Sequence, residues 1–320
     1  MYKIGIIDTM NKRGIETLKG YKDFDCEIVT DLSKKNLLLK LPEFDGITLR
    51  RGIIDKEILD KCDKLRVIAR HGVGYDNVDT TCLKEKNITL LVTHNSTSTS
   101  PAEHIMFMII NIYKGISMFD KMVRDGDFAK AIYLEIDKNF ELFNKTVLIV
   151  GFGRIGKKLI KKCLGFGMKV IVFDPYVDEK VIKSFGGLKV KTLKEGLIKT
   201  DILSLSLPLN NETKNFITLR ELKLMKKNSI IINTARGGIV NENDLNKALN
   251  DGIIAFAGVD VFEKEPPNKS NPLISNKKVV LSPHAATFTK EGLESMAVET
   301  AQNMIDFFEN KIEDTKVVKL

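Results

Sequence analysis

The stretch Thr146-Val147-Leu148-Ile149-Val150-Gly151-Phe152-Gly153-Arg154-Ile155-Gly156 reads as a buried strand running into a glycine-rich turn and then a helix. Ile155, Leu159, Cys163 and Leu164 recur at helical spacing and carry the helix onward. In this setting each glycine has a reason. Gly151 allows the tight turn, Gly153 lets backbone amides approach a pyrophosphate, and Gly156 lets helix and strand pack closely. Arg154 and Ile155 sit between them at a helix N-terminus, which favours anions. The glycine pattern alone is weak; strand, glycines, helix and a second strand together are strong. That second strand, Lys169 to Phe173, ends at Asp174, eighteen residues beyond Gly156. A carboxylate there can accept hydrogen bonds from ribose hydroxyls and would repel a 2′-phosphate. Pro175 and Tyr176 follow with no adjacent arginine, so NAD is expected rather than NADP. The competing reading is a tight structural turn and an unrelated exposed Asp.

Working outward, short apolar runs alternate with amphipathic stretches, the pattern of βα units and parallel sheets. From Thr146 to the C-terminal side the strands are Thr146 to Val150, Lys169 to Phe173, Asp201 to Leu205, Ser229 to Asn233, Ala255 to Val259 and Val279 to Leu281. Six strands match a doubly wound dinucleotide-binding sheet. Before them come Lys3 to Asp8, Asp25 to Val29, Gly46 to Leu49, Arg66 to Ala69 and Ile88 to Leu91, a flavodoxin-like set of five. Between the halves a helix begins with Ser100 as N-cap, Pro101 at its first position and Glu103 completing a capping box. A last amphipathic helix carries Leu293, Met296, Ala297, Ala301, Met304, Ile305 and Phe308, and is expected to return to the first half. The fold class is therefore α/β with two doubly wound parallel-sheet domains. Residues 1–99 and 287–320 form a discontinuous flavodoxin-like substrate domain, and residues 100–286 a Rossmann NAD-binding domain. Two crossings can act as a hinge, with ligands in the cleft between domains.

Composition agrees with an ordinary globular enzyme: 320 residues, 43% hydrophobic, 29% charged, 22 Gly and 8 Pro. Cys26, Cys62, Cys82 and Cys163 form no CxxC pair, so no metal site or disulfide framework is expected and a reducing, cytoplasmic compartment fits. The opening MYKIGIIDTM enters a strand at once, which argues against export, and no apolar run reaches the ~18 residues of a membrane span. The formal charge of +8 arises from 50 Lys+Arg against 42 Asp+Glu spread along the chain. Neither a nucleic-acid partner nor a membrane surface is indicated, and modest steering of anionic ligands is.

Three segments at the carboxyl ends of later strands carry chemistry. They are Asn233-Thr234-Ala235-Arg236-Gly237-Gly238, Val259-Asp260-Val261-Phe262-Glu263-Lys264-Glu265-Pro266-Pro267 and Ser282-Pro283-His284-Ala285-Ala286. Ligands bind outside those strand ends, so Arg236, Glu265 and His284 can converge although distant in sequence. Removing a hydride from a carbinol carbon requires a group to take the hydroxyl proton, and a histidine titrating near neutrality suits that role. His284 is the candidate. Glu265 beside it would fix the imidazole tautomer and stabilise its protonated form. Arg236 can neutralise the carboxylate of a hydroxy acid and polarise its 2-oxygen. Singly, each residue has a bland surface or loop reading; the ordered set points to a site.

These segments, with the glycine motif and Arg70-His71-Gly72-Val73-Gly74-Tyr75-Asp76-Asn77-Val78-Asp79, resemble the D-isomer-specific 2-hydroxyacid dehydrogenases, nearest the D-3-phosphoglycerate dehydrogenase branch. The resemblance runs over almost the whole chain. It implies Arg236, Glu265 and His284 as the catalytic trio, D stereochemistry, and the amides of Val73 and Gly74 as partners of the substrate carboxylate. It also implies Leu207, Pro208, Thr213, Thr234, Ala235, Asp260 and His284 as cofactor surroundings, a place near the cofactor for Ser100 and Glu103 beside their capping role, and a homodimer through the helix from Pro101 and the arm from Asp125 to Lys145. Asn144 stands where relatives carry Gly; Asn tolerates the left-handed conformation. His71 stands where relatives often have a small residue, either tuning specificity or serving only the loop. Ending at Leu320, the chain leaves no room for regulatory domains, so serine feedback is not expected. Arg50, Arg51 and Arg70 suggest a clamp for a second anionic group, hence 3-phosphoglycerate. Lactate, glycerate or a branched hydroxy acid are the alternatives, and an NAD-sensing binding module is a third.

Overall fold

The structure is a computed structural model that describes residues 1–94, 96, 98–133 and 139–320. Alternate side chains of a strand face opposite sides of a sheet, so strands buried along their whole length need cover on both faces. Both halves of the chain follow that rule, and their contacts divide it into two compact units, residues 1–97 with 287–320 and residues 98–286.

In the first unit β1 (Tyr2–Ile7), β2 (Phe24–Val29), β3 (Gly46–Leu49), β4 (Val67–Arg70) and β5 (Thr89–Leu91) form one parallel sheet in the order β2-β1-β3-β4-β5. This is flavodoxin-like order, with its switch point between β1 and β3. Ile7, Ile47, Leu49, Ile68 and Leu90 face one apolar core with Leu37, Phe44 and Leu59. Ile4, Ile6, Val67, Ala69 and Leu91 face the other, which is closed by Ala297, Ala301 and Met304 of helix Lys290–Phe308. The last helix thus does return, and its small residues let helix Lys12–Lys19 press so close that a Cβ on Gly14 would lie 2.6 Å from the carbonyl oxygen of Ala297.

The second unit contains β6 (Thr146–Val150), β7 (Lys169–Phe173), β8 (Leu188–Lys189), β9 (Ile202–Leu205), β10 (Ile230–Asn233), β11 (Phe256–Val259) and β12 (Val279–Leu281), in the order β12-β11-β10-β9-β6-β7-β8. All pairs are parallel. Val147, Ile149, Ile202, Ile230 and Ile232 enter one core with helices Thr99–Lys114 and Arg154–Gly165; Leu148, Val150, Leu203, Leu205 and Ile231 enter the other.

Three expectations change. Among the described residues the sheet has seven strands rather than six: β8 is two residues long at the edge, with Leu188 66% exposed, so no apolar run announces it. The helix begins at Thr99 with Ser98 at the cap, so Ser100 is not the N-cap. Its hydroxyl instead donates to the carbonyl of Ala286 at 2.7 Å, and Glu103 closes no capping box but pairs with Lys162 at 2.9 Å. Asn144 adopts φ +61, the left-handed turn expected of it.

Candidate active site

The glycine turn separates packing from vacancy. Gly151 has φ +91 and a Cβ there would lie 2.3 Å from the carbonyl oxygen of Ser206, while one on Gly156 would lie 2.6 Å from that of Gly151. A Cβ on Gly153 would meet no protein atom within 4 Å. Protein packing therefore demands the first and third glycines but not the second, and the open space lies at the N-terminus of helix Arg154–Gly165, where a pyrophosphate would be stabilised. The residues present fit a dinucleotide. Asp174 Oδ2 accepts from Phe152 N at 2.7 Å, and Oδ1 from Tyr176 N and Val177 N at 2.9 and 3.1 Å. The carboxylate expected to meet ribose thus also braces the glycine turn, with capacity left for a further donor. Beyond β9, Thr213 Oγ1 donates to the carbonyl of Pro208 at 2.6 Å and closes the loop that carries Leu207 and Pro208.

At the end of β10, Asn233 pins the following turn: its Oδ1 accepts from Ala235 N at 3.1 Å and its Nδ2 donates to the carbonyl of Arg236 at 2.9 Å. Thr234 is buried, and half-buried Arg236 donates through Nη1 to the carbonyl of Ala235 at 2.6 Å. Past the end of β11, Glu265 Oε1 accepts from Phe262 N at 3.1 Å, and Oε2 lies 2.8 Å from His284 Nδ1. A carboxylate can only accept, so Nδ1 carries the proton and Nε2 is left for chemistry. Burial alone would push the Glu265 carboxyl up. The hydrogen bond and charge of His284, the Phe262 amide and the charge of Arg236 outweigh it, and the net shift is downward. The structure therefore brings Glu265 and His284 into contact and Arg236 within electrostatic reach.

Asp260 departs from expectation. It is fully buried, and its carboxylate accepts from Ser282 Oγ at 2.5 Å, Ala285 N at 2.7 Å and Ala286 N at 3.0 Å. In this conformation it serves the protein and presents no oxygen to a cofactor. Nε2 of His104 lies 3.0 Å from Ser282 Oγ. Sequence reasoning gave His104 no role, since its partner stands 178 residues away.

In the first unit the loops after β1, β3 and β4 carry the expected anion clamp, and the structure has other uses for it. Asp8, buried at φ +68, takes Arg51 in two hydrogen bonds of 2.6 and 3.2 Å. Arg70 Nη1 donates to the carbonyls of Leu49, Arg50 and His71 at 2.8, 2.7 and 3.1 Å. Arg51 is thus charge-compensated and Arg70 ties strand ends, which leaves Arg50, bonded through Nη1 to the carbonyl of Thr9 at 3.2 Å, as the least committed of the three. The amides of Val73 and Gly74, beside Gly72 at φ +131, donate to no acceptor among the described residues. His71 is buried, and burial, with Arg50 and Arg70 nearby, pushes its pKa down to about 4. Among the described residues no cluster of three or more His, Cys, Asp or Glu offers a metal site, and no helix is long and apolar enough to cross a membrane.

Comparison with known proteins agrees with this geometry. Residues 106–286 match the NAD binding domain of the D-isomer specific 2-hydroxyacid dehydrogenases. The chain is 34% identical over 305 residues to D-3-phosphoglycerate dehydrogenase of Methanocaldococcus jannaschii, covering 95% of this chain and 57% of that one. It is 35% identical over 330 residues to glyoxylate reductase of Thermococcus litoralis, covering 99% and 97% respectively. The solved structure of a D-2-hydroxyisocaproate dehydrogenase superposes with a TM-score of 0.82 at 25% identity over 99% of each chain. The chain belongs to the D-isomer specific 2-hydroxyacid dehydrogenase family.

Two measurements probe this site. Gly153→Ala is expected to keep the wild-type melting temperature and lose NADH binding, measured by fluorescence, whereas Gly151→Ala loses fold stability; equal NADH affinity in Gly153→Ala would contradict the cradle. For His71 the folded pKa of about 4 lies below the unfolded value, about 6.5. The unfolded chain binds the extra proton between these values, so stability falls as pH drops through that window, by roughly 3 kcal/mol. Urea unfolding at pH 7 and pH 4 should show a smaller loss for His71→Asn than for wild type; equal losses would refute the assignment.

Proposed function

We propose that the protein is an NAD-dependent oxidoreductase that moves a hydride between nicotinamide and C2 of a small D-2-hydroxy acid. The observation that carries this reading is the 2.8 Å contact between His284 Nδ1 and Glu265 Oε2 beyond the carboxyl ends of a sheet in dinucleotide-binding order. Bound NAD supplies the hydride acceptor or donor. His284 takes the hydroxyl proton on Nε2 in oxidation and returns it in reduction, while Glu265 holds the productive tautomer and steadies the imidazolium. Arg236 draws in the carboxylate and polarises the 2-oxygen, and the amides of Val73 and Gly74 are the carboxylate's further partners. The D configuration rests on family membership.

For the substrate, D-3-phosphoglycerate and its partner 3-phosphohydroxypyruvate, a step of serine biosynthesis, is supported by Arg50, Arg51 and Arg70 and by relatives of that name. In that reading Arg50 is the main phosphate ligand. The second reading, a short acid without a second anionic group, is favoured by the Asp8–Arg51 pair and by the glyoxylate reductase relatives matched over nearly their full length. A homodimer belongs to the proposal as well: Phe107, Ile116, Val123, Phe128 and Ile132 are each at least 50% exposed along helices Thr99–Lys114, Ile116–Arg124 and Phe128–Ile132. Cytoplasmic residence accords with four unpaired cysteines.

The test follows NADH absorbance with glyoxylate, pyruvate, hydroxypyruvate and 3-phosphohydroxypyruvate. His284→Ala should lose about 10²–10⁴-fold in kcat/KM. If wild type turns over none of these acids yet binds NADH, the protein is a binding module. Sedimentation should give twice 36.0 kDa, and a 36.0 kDa particle would remove the dimer.

A further inference from the structure

His284 stands at φ +53, a left-handed conformation that a residue with a Cβ adopts only when its surroundings hold it there. The amide of His284 donates to the carbonyl of Asp260 at 2.7 Å, and the next two amides, of Ala285 and Ala286, donate to the two carboxylate oxygens of the same residue. One buried aspartate therefore fixes three consecutive peptide units. Its other donor is the hydroxyl of Ser282, at 2.5 Å.

Ser282 has a single hydroxyl proton, and the Asp260 carboxylate, which also accepts two amides, takes it. The Ser282 oxygen must then accept from His104, whose Nε2 at 3.0 Å carries the proton. Nε2 is 3.7 Å from Asp260 Oδ1, too far for a direct hydrogen bond, so the link runs through the serine. His104 does not act alone. Ser100, one helical turn earlier and hence on the same face of helix Thr99–Lys114, donates its hydroxyl to the carbonyl of Ala286 at 2.7 Å. Two side chains on one helix face thus grip the segment 282–286 on both sides of His284.

We propose that His104, with Ser100, is a positioning residue for His284: it holds Ser282 and Asp260 so that the left-handed His284 keeps its imidazole against Glu265. The proposal rests on the acid/base role assigned to His284, although the brace itself is a statement about backbone order. Nothing in its logic requires His104 to touch substrate or cofactor. A side chain that restores the donor should therefore restore function, and one that only fills the space should not.

The experiment compares His104→Phe with His104→Gln, whose amide can still donate to Ser282, and adds Ser100→Ala. In His104→Phe, kcat is expected to fall about 10- to 100-fold, the range that follows from small misplacement of a catalytic group, with NADH affinity within twofold of wild type. His104→Gln should recover kcat to within about threefold. Amide hydrogen exchange at Ala285 and Ala286, read by NMR without substrate, should accelerate at least several-fold in His104→Phe and in Ser100→Ala but not in His104→Gln. Unchanged kcat and unchanged exchange in a folded His104→Phe would overturn the brace, as would loss of activity in the Gln variant equal to that in the Phe variant. If His104→Phe does not fold, the Gln and Ser100→Ala comparison decides on the same exchange readout. Should the wild type turn over no 2-oxo acid, the dehydrogenase reading fails by itself, while the exchange rates still decide whether the brace exists.

Discussion

Every strand in each sheet runs parallel, and this constraint governs where chemistry can be placed. Parallel strands put all their carboxyl ends along one edge, and each chain reversal there adds a loop whose backbone has not yet entered a helix. In the second unit the loops after β6, β10, β11 and β12 consequently share an edge, which is how Gly153, Arg236, Glu265 and His284 come to lie along one side of the sheet although their segments lie far apart in sequence. In the first unit the same rule gathers Asp8, Arg50 and Arg70 at the ends of β1, β3 and β4.

Holding such loops still requires long-range polar contacts, and the buried carboxylate of Asp260 accepts three of them. An ionised carboxylate taken out of water is costly unless its lone pairs meet donors. Among the described residues its hydrogen-bond donors come from one short segment after β12, so satisfying the carboxylate and ordering that segment are the same event. The arrangement also makes the segment intolerant: removing one donor leaves a buried polar oxygen unsatisfied, a larger penalty than the loss of an ordinary surface hydrogen bond. The Glu265–His284 contact differs, since both side chains remain open to solvent and its worth is geometric rather than stabilising.

Sequence periodicity reveals what is local. The alternation of apolar runs, the glycine turn and the returning helix at Lys290–Phe308 are each set by neighbours within a few residues, and all are present. What escaped the sequence is set by partners far along the chain. Ser-Pro-x-Glu satisfies a capping pattern locally, yet the hydroxyl of Ser100 goes to Ala286, 186 residues away. Arg51 looked available until the fold set Asp8, 43 residues earlier, against it. The strand β8 was silent because two residues at an exposed edge carry no period.

The Asp8–Arg51 pair also sets how much positive charge these loops present. Burial would raise the Asp8 carboxyl, but the hydrogen bond from Arg51, the Thr9 amide and the charges of Arg51 and Arg50 reverse that and lower it. Asp8 is accordingly ionised throughout the neutral range. A doubly charged phosphate that sought Arg51 would have to displace a two-point carboxylate contact made within the protein, at no cost in association entropy to that carboxylate. Arg50 faces no such competition, because its Nη1 meets the backbone carbonyl of Thr9 rather than a carboxylate. The cation count in these loops therefore overstates the positive charge on offer, and any hold on a second anionic group there turns on whether Arg50 can act without Arg51.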